Sequence, residues 1–286
     1  MNPLLHPPVL PWDPQALSSS PAFAPLRAAG QALNNLPHWP TLADYNALPP
    51  GAAGLLHAST GKPLCFVAQD SAGQTFSDQY EPRIFLAGEI QVRLQNWHDL
   101  FNALVWLSFP QAKAAINTRH YAALINAAPG TPRGAERDAL TLFDESGVVV
   151  VCAQQELALA HLLTGFEWKA LFWQQRQRVR EHMGFFVFGH GLHEKLLRPF
   201  QGLTGKALIV PVENSFMQLP LPAQLRQLDQ RLGAILADET RFRATRELTP
   251  LPLLGIPGWA VENERADYYD DARYFRPGRR LTGSRN

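Results

Sequence analysis

The run Arg137-Asp138-Ala139-Leu140-Thr141-Leu142-Phe143-Asp144-Glu145-Ser146-Gly147-Val148-Val149-Val150-Val151-Cys152-Ala153 decides how the chain is read. Val148 to Cys152 is continuously apolar and rich in valine, the pattern of a strand buried on both faces at the centre of a sheet. Asp138 to Phe143 reads as a second strand, and Asp144-Glu145-Ser146-Gly147 has the composition of a hairpin connection between the two. On that reading Asp138, Leu140 and Leu142 share one face, so Asp138 is an acid among apolar neighbours. Asp144 and Glu145 then belong to the turn, where an aspartate is expected for its bond to the backbone.

Working outward, Gln154 to Met183 has helical spacing with a break near Thr164-Gly165, and its polar segment Gln174 to Glu181 faces water. Gly184 to Gly189 predicts a short strand opening directly into a helix from His190 to about Arg198. Ala207 to Val212 predicts another strand, and Pro222 to Glu239 an amphipathic helix carrying Leu225, Leu228, Leu232, Ile235 and Leu236. Towards the amino terminus, Gln95 to Ala128 holds two helices, the second starting at Pro110 and the pair closed by Gly130 to Gly134. Leu64 to Ala68 reads as a strand, Thr41 as the cap of a short helix through Leu48, and residues 21–36 as a helix. The aromatic stretch after Pro250 docks on the body until about Gly278. The run of elements predicts an α+β fold, helices packed around a small antiparallel or mixed sheet, loop-rich. The expected organisation is an extended segment over 1–20, a single α+β domain over 21–278, and a frayed, arginine-rich tail over 279–286.

A chain of 286 residues with 46% hydrophobic content buries a substantial core, which excludes disorder of the whole. Its 26 basic and 25 acidic residues leave a formal charge of +1, so no overall field draws in nucleic acid or an anionic membrane. No apolar run approaches the length of a membrane span, and Met1 to Pro11 lacks the pattern of a secretory signal. Cys65 and Cys152 sit in apolar strand-like runs and imply no disulfide framework. A soluble cytoplasmic protein is expected. Phosphate loops, dinucleotide fingerprints, the serine hydrolase elbow and Cys-x-x-Cys pairs are all missing. Gly202-Leu203-Thr204-Gly205-Lys206 precedes a strand rather than a helix and reads as a turn.

The chemistry-bearing residues stand on otherwise apolar elements. His98 and Asn102 lie one turn apart on the first central helix, and Lys113, Asn117 and His120 form a stripe on the next. Antiparallel packing of the two helices lets these stripes meet, and burying them costs a few kcal/mol each unless they are bonded. His190 opens its helix, with Glu194 one turn on, a spacing that suits ligation of one divalent ion or a carboxylate-oriented base. These patterns predict a metal-assisted hydrolase acting on a phosphoester or similar small anionic substrate. Its ligands are His98, His120, Asp138, His190 and Glu194, and its cofactor a divalent ion, zinc, manganese or magnesium. Asp99 orients a ligand or acts as base, and Lys113 or Arg137 neutralises the substrate. Two alternatives stay open: a non-enzymatic binding or scaffold protein with a buried structural polar network, and a metal-free His/Glu acid-base enzyme.

Four stretches carry a family pattern. They are Asn96-Trp97-His98-Asp99 with Phe109-Pro110 and His120; Arg137 through Gly147; Phe188-Gly189-His190 with Glu194; and the tail from Tyr268 to Arg276. Together they resemble an uncharacterised bacterial family labelled domain of unknown function 3025. The resemblance implies a single family domain; it supplies no activity, cofactor or catalytic residue.

Overall fold

The computed structural model describes residues 10–50, 57–69, 75–127 and 134–278. In chain order its helices and strands are α1 (Arg27–Gly30), α2 (Leu42–Ala47), β1 (Cys65–Ala68), α3 (Tyr80–Ala87), β2 (Glu89–Val92), α4 (Trp97–Ser108), α5 (Pro110–Ile125) and α6 (Ala135–Ser146). There follow β3 (Gly147–Ala153), α7 (Leu157–Thr164), α8 (Arg176–His182), β4 (Met183–Val187), α9 (His190–Leu196), β5 (Thr204–Val212), α10 (Leu221–Ala237) and β6 (Thr249–Pro252). The fold is α+β, as expected. Among the described residues no helix is long and apolar enough to cross a membrane. The expected tail over 279–286 and the closing Gly130 lie outside the described residues, as do the first nine positions of the expected extended segment. Its remainder holds a 3-10 turn at Ala16–Ser18.

The chain divides into two compact units. The first comprises Met1–Ser19, Leu26–Thr131 and Leu225–Asp238; the second comprises Ser20–Pro25, Pro132–Gln224 and Glu239–Asn286.

The first unit is built on α4 and α5. Asn96 caps α4 by accepting a bond from the Asp99 amide (3.0 Å), and Pro110 stands at the first turn of α5, where its missing N–H costs nothing. Leu100, Phe101, Leu104 and Val105 are almost wholly buried, and so are Leu225, Leu228, Leu232 and Leu236 of α10. Removing such side chains from water contributes roughly 1.5–3 kcal/mol each. Thr41 caps α2 through a reciprocal pair with Asp44, as its position predicts. β1 pairs in parallel with β2, a strand the sequence pattern did not reveal, as it did not reveal α3. Trp12 stacks on Trp97 (5.2 Å), which ties the chain near residue 12 to the start of α4.

The second unit centres on a sheet of order β4-β3-β5-β6. β3 is buried along its whole length, antiparallel to β4 and parallel to β5, so the central strand expected from Val148 to Cys152 is there. The hairpin is not. Ala135–Ser146 is an α-helix that runs into β3 without a loop, so Asp138 is on no strand and Asp144 and Glu145 are in no turn. Asp-Ala-Leu-Thr-Leu-Phe is too short to separate a period of two from one of 3.6; Ala139, Leu140 and Phe143 are the buried face at helical spacing. The helix expected over 21–36 is likewise broken: 3-10 turns at Pro21–Leu26 and Gln31–Asn35 flank the single turn of α1. Pro25 and Gly30 account for this, one lacking an amide donor and the other a poor helix former. After β6, Tyr269 and Tyr274 are buried, and their hydroxyls donate to Gly255 O (2.9 Å) and Leu203 O (2.8 Å), so this stretch docks as expected.

Candidate active site

In the second unit, β4 passes into α9 through Phe188-Gly189-His190-Gly191. The Phe188 and Gly189 amides both donate to the Gly147 carbonyl at 2.9 Å, which lays this turn on the junction of α6 and β3. Glycine is required there: a Cβ at 189 would stand 2.5 Å from Ser146 N and 2.6 Å from both Glu145 O and Gly147 N. A Cβ at 191 would collide with Glu145 Oε2. The two glycines therefore let the last turn of α6 lie against His190.

His190 is 5% exposed and faces two carboxylates. Its Nε2 is 3.4 Å from Glu145 Oε1, and its Nδ1 is 3.7 Å from Asp144 Oδ2. Both spacings exceed the usual N–H···O range of about 2.7–3.2 Å. One turn along α9, His193 is completely buried, stacked on Phe23, with Nε2 3.2 Å from Val187 O. Burial pushes its pKa down to about 3, the Val187 carbonyl opposing and the His190 imidazole assisting. His193 is thus neutral and donates from Nε2 to Val187 O, a structural role. Glu194 is exposed. Asp138 is exposed in the first turn of α6, on the same helical face as Glu145 and about 10 Å away along the axis. Arg137 shares the face of Asp144, again two turns away. Its Nε is buried and has no hydrogen-bond partner among the described residues.

The first unit holds His98, His120, Asp99 and Lys113. His98 is half-buried on α4 and His120 is buried on α5. The two polar stripes do meet: Lys113 Nζ donates to Asn102 Oδ1 (2.9 Å), and Asn102 Nδ2 to Tyr80 Oη (2.6 Å). Lys113 also lies 5.4 Å over the Trp106 ring. Asn117 donates to Glu81 Oε2 (2.6 Å). Asp99 accepts from the Arg93 amide (2.6 Å) and from its guanidinium (2.7 and 3.0 Å). Asp229, wholly buried on α10, accepts from the Gln111 and Ala112 amides (3.2 and 3.0 Å) at the start of α5. Burial raises its pKa to about 6 against the lowering effect of those amides.

The sequence pattern predicts the helix that His190 opens but not the approach of Asp144 and Glu145 to it, because it places them in a turn. The signal that could have found them is the helical spacing that opens at Ala135, with Glu136 and Asp138 as first-turn acids.

No curated protein and no solved structure matches the chain. A family model described as Protein of unknown function (DUF3025) matches residues 64–279, a stretch that includes β1 through β6 and all the candidate residues above, and the chain belongs to that family.

Proposed function

We propose that the protein is a metal-assisted hydrolase acting on a phosphoester or similar anionic substrate, with a divalent ion held between His190 and Glu145. The observation that carries this reading is the 3.4 Å between His190 Nε2 and Glu145 Oε1. Two ligand atoms each about 2.1 Å from a tetrahedral zinc stand about 3.4 Å apart, whereas a direct hydrogen bond brings nitrogen and oxygen to about 2.9 Å. Asp144 beside Nδ1 orients the ring, the usual carboxylate support of a metal-binding imidazole. The imidazole favours zinc over manganese or magnesium. The ion supplies a bound water acidic enough to furnish hydroxide near neutral pH. Arg137 supplies positive charge for an anionic substrate.

Metal analysis of untagged protein dialysed against micromolar zinc tests this. One equivalent is expected, and His190→Ala or Glu145→Gln weakens it by about 10–100-fold. Hydrolysis of p-nitrophenyl phosphate is lost on chelation and restored by the ion. Absence of a stoichiometric ion, with a Tm indifferent to chelator, overturns the reading. Alanine variants of His98, His120, Asp138 and Glu194 put the remaining expected ligands to the same titration, and variants of Asp99 and Lys113 test their expected parts in hydrolysis.

A second reading, a non-enzymatic binding or scaffold protein, is favoured by the Tyr80–Asn102–Lys113 bonds of the first unit, which have the geometry of a structural network. A third, metal-free acid-base catalysis, takes Glu145 as the partner of His190, and its mark is activity that survives chelation. The two free cysteines fit a reducing cytoplasmic setting. Neither nucleic acid nor a membrane surface enters this reading.

A further inference from the structure

The second unit contains a pocket of about 690 Å³, a size typical of small-molecule sites. Its lining includes Phe166, Trp168, Pro252, Tyr274, Arg273 and Arg276, and among the described residues no acid lines it. The aromatic groups are held by their polar ends. Trp168 Nε1 donates to Arg276 O (2.9 Å), while the Tyr274 hydroxyl donates to Leu203 O (2.8 Å) and accepts from Leu254 N (2.9 Å). What these rings offer the pocket is therefore apolar surface. Phe166 meets Trp168 edge to face, centroids 5.6 Å apart, and adopts a φ of +61°, a left-handed conformation strained for a phenylalanine.

The charge at the pocket is positive. Arg273 is already paired with Asp271 (3.0 Å). Arg276 is exposed, and its Nε donates to Arg273 O (3.1 Å), which fixes the direction of the guanidinium; it has no ion-pair partner among the described residues. Apolar ring walls beside an arginine match a ligand that is flat at one end and negative at the other.

We propose that this pocket binds a small planar aromatic anion, its ring against Phe166 and Trp168 and its anionic group at Arg276. The site shares no residue with the His190 centre, and the proposal stands or falls independently of the hydrolase reading. Isothermal titration of the full chain with naphthalene-2-sulfonate, its uncharged sulfonamide, and inorganic sulfate tests it. The sulfonate binds saturably at one site, about tenfold tighter than the sulfonamide, as one charge-assisted contact requires, and sulfate alone does not saturate. Arg276→Gln removes that about tenfold preference without weakening the sulfonamide. Phe166→Gly, which suits the positive φ and so keeps the fold, weakens both aromatic ligands. Equal binding of sulfonate and sulfonamide, equal binding of sulfate alone, or indifference to Arg276→Gln overturns the proposal.

Discussion

The polar cluster of the first unit and the His190 centre of the second both bury charged or polar side chains among apolar elements, yet they differ in their spacings. Lys113 to Asn102, Asn102 to Tyr80 and Asn117 to Glu81 are 2.6–2.9 Å, ordinary hydrogen bonds made directly between protein groups. His190 stands 3.4 and 3.7 Å from its carboxylates, on a turn that two glycines press against α6. Direct bonds offset the cost of burial and hold helices in register; a wider nitrogen-to-oxygen edge has the dimensions of a shared ion. Buried polar residues look alike in a sequence; it is distance that distinguishes the closely bonded cluster from the wider spacing around His190.

The largest effect is expected at Gly189. A Cβ there meets three backbone atoms within 2.6 Å, none of which can rotate away. Gly189→Ala should lower stability by about 3 kcal/mol or more, at the top of the overpacking range, and weaken metal binding with it. Denaturant melts and zinc titration on the same variant read both. Undiminished metal affinity in a destabilised protein would break the comparison, because the centre would then not depend on that turn.

That glycine was legible in sequence as the end of a strand opening into a helix, and so were the Thr41 cap, the Pro110 start of α5 and the buried valines of β3. Each carries a local signal, a cap, a fixed φ or an unbroken apolar run, that needs no tertiary context. α6 was misread because its six central residues satisfy two periods at once. The parallel pairing of β1 with β2 has no local signature, being a register between segments more than twenty residues apart. His190 was visible as a polar residue on a buried element; Asp144 and Glu145 became its neighbours only once α6 was a helix.

The next effect concerns Asp229, a first-unit carboxylate whose burial raises its pKa to about 6 from the ordinary 3.8. An acid with a raised folded-state pKa binds its proton more tightly when folded, so its contribution to stability is complete below about pH 4 and is lost as the pH rises through about 6. The full span is up to about 3 kcal/mol. Asp229→Asn removes the titration, so the stability difference between wild type and variant should change across pH 4–7 and be level above it. A constant difference would show that the two helix amides satisfy the carboxylate as fully as water does.

Asn102→Ala should cost about 2 kcal/mol, by removing one hydrogen bond each from the Lys113 ammonium and the Tyr80 hydroxyl, and a double-mutant cycle with Lys113→Met should show coupling of about 1 kcal/mol. Metal content should not change. Loss of hydrolysis with an unaltered Tm would move this cluster from structure to function and erase the contrast between the units.

The smallest effects fall on the two acids that spacing alone singled out. Glu194 stands one turn from His190 but is exposed, and Asp138 lies two turns from Glu145 along α6, also exposed. Glu194→Gln and Asp138→Asn should each shift stability by less than about 0.5 kcal/mol, as surface substitutions do. Both should leave zinc affinity in place where Glu145→Gln lowers it. The comparison is sharpest here because all three substitutions remove one negative charge within the same unit, so a general loss of field affects them alike. Only direct ligation at Glu145 separates them, and a loss of affinity shared by all three would reduce the His190 centre to an acidic surface that attracts cations without holding one.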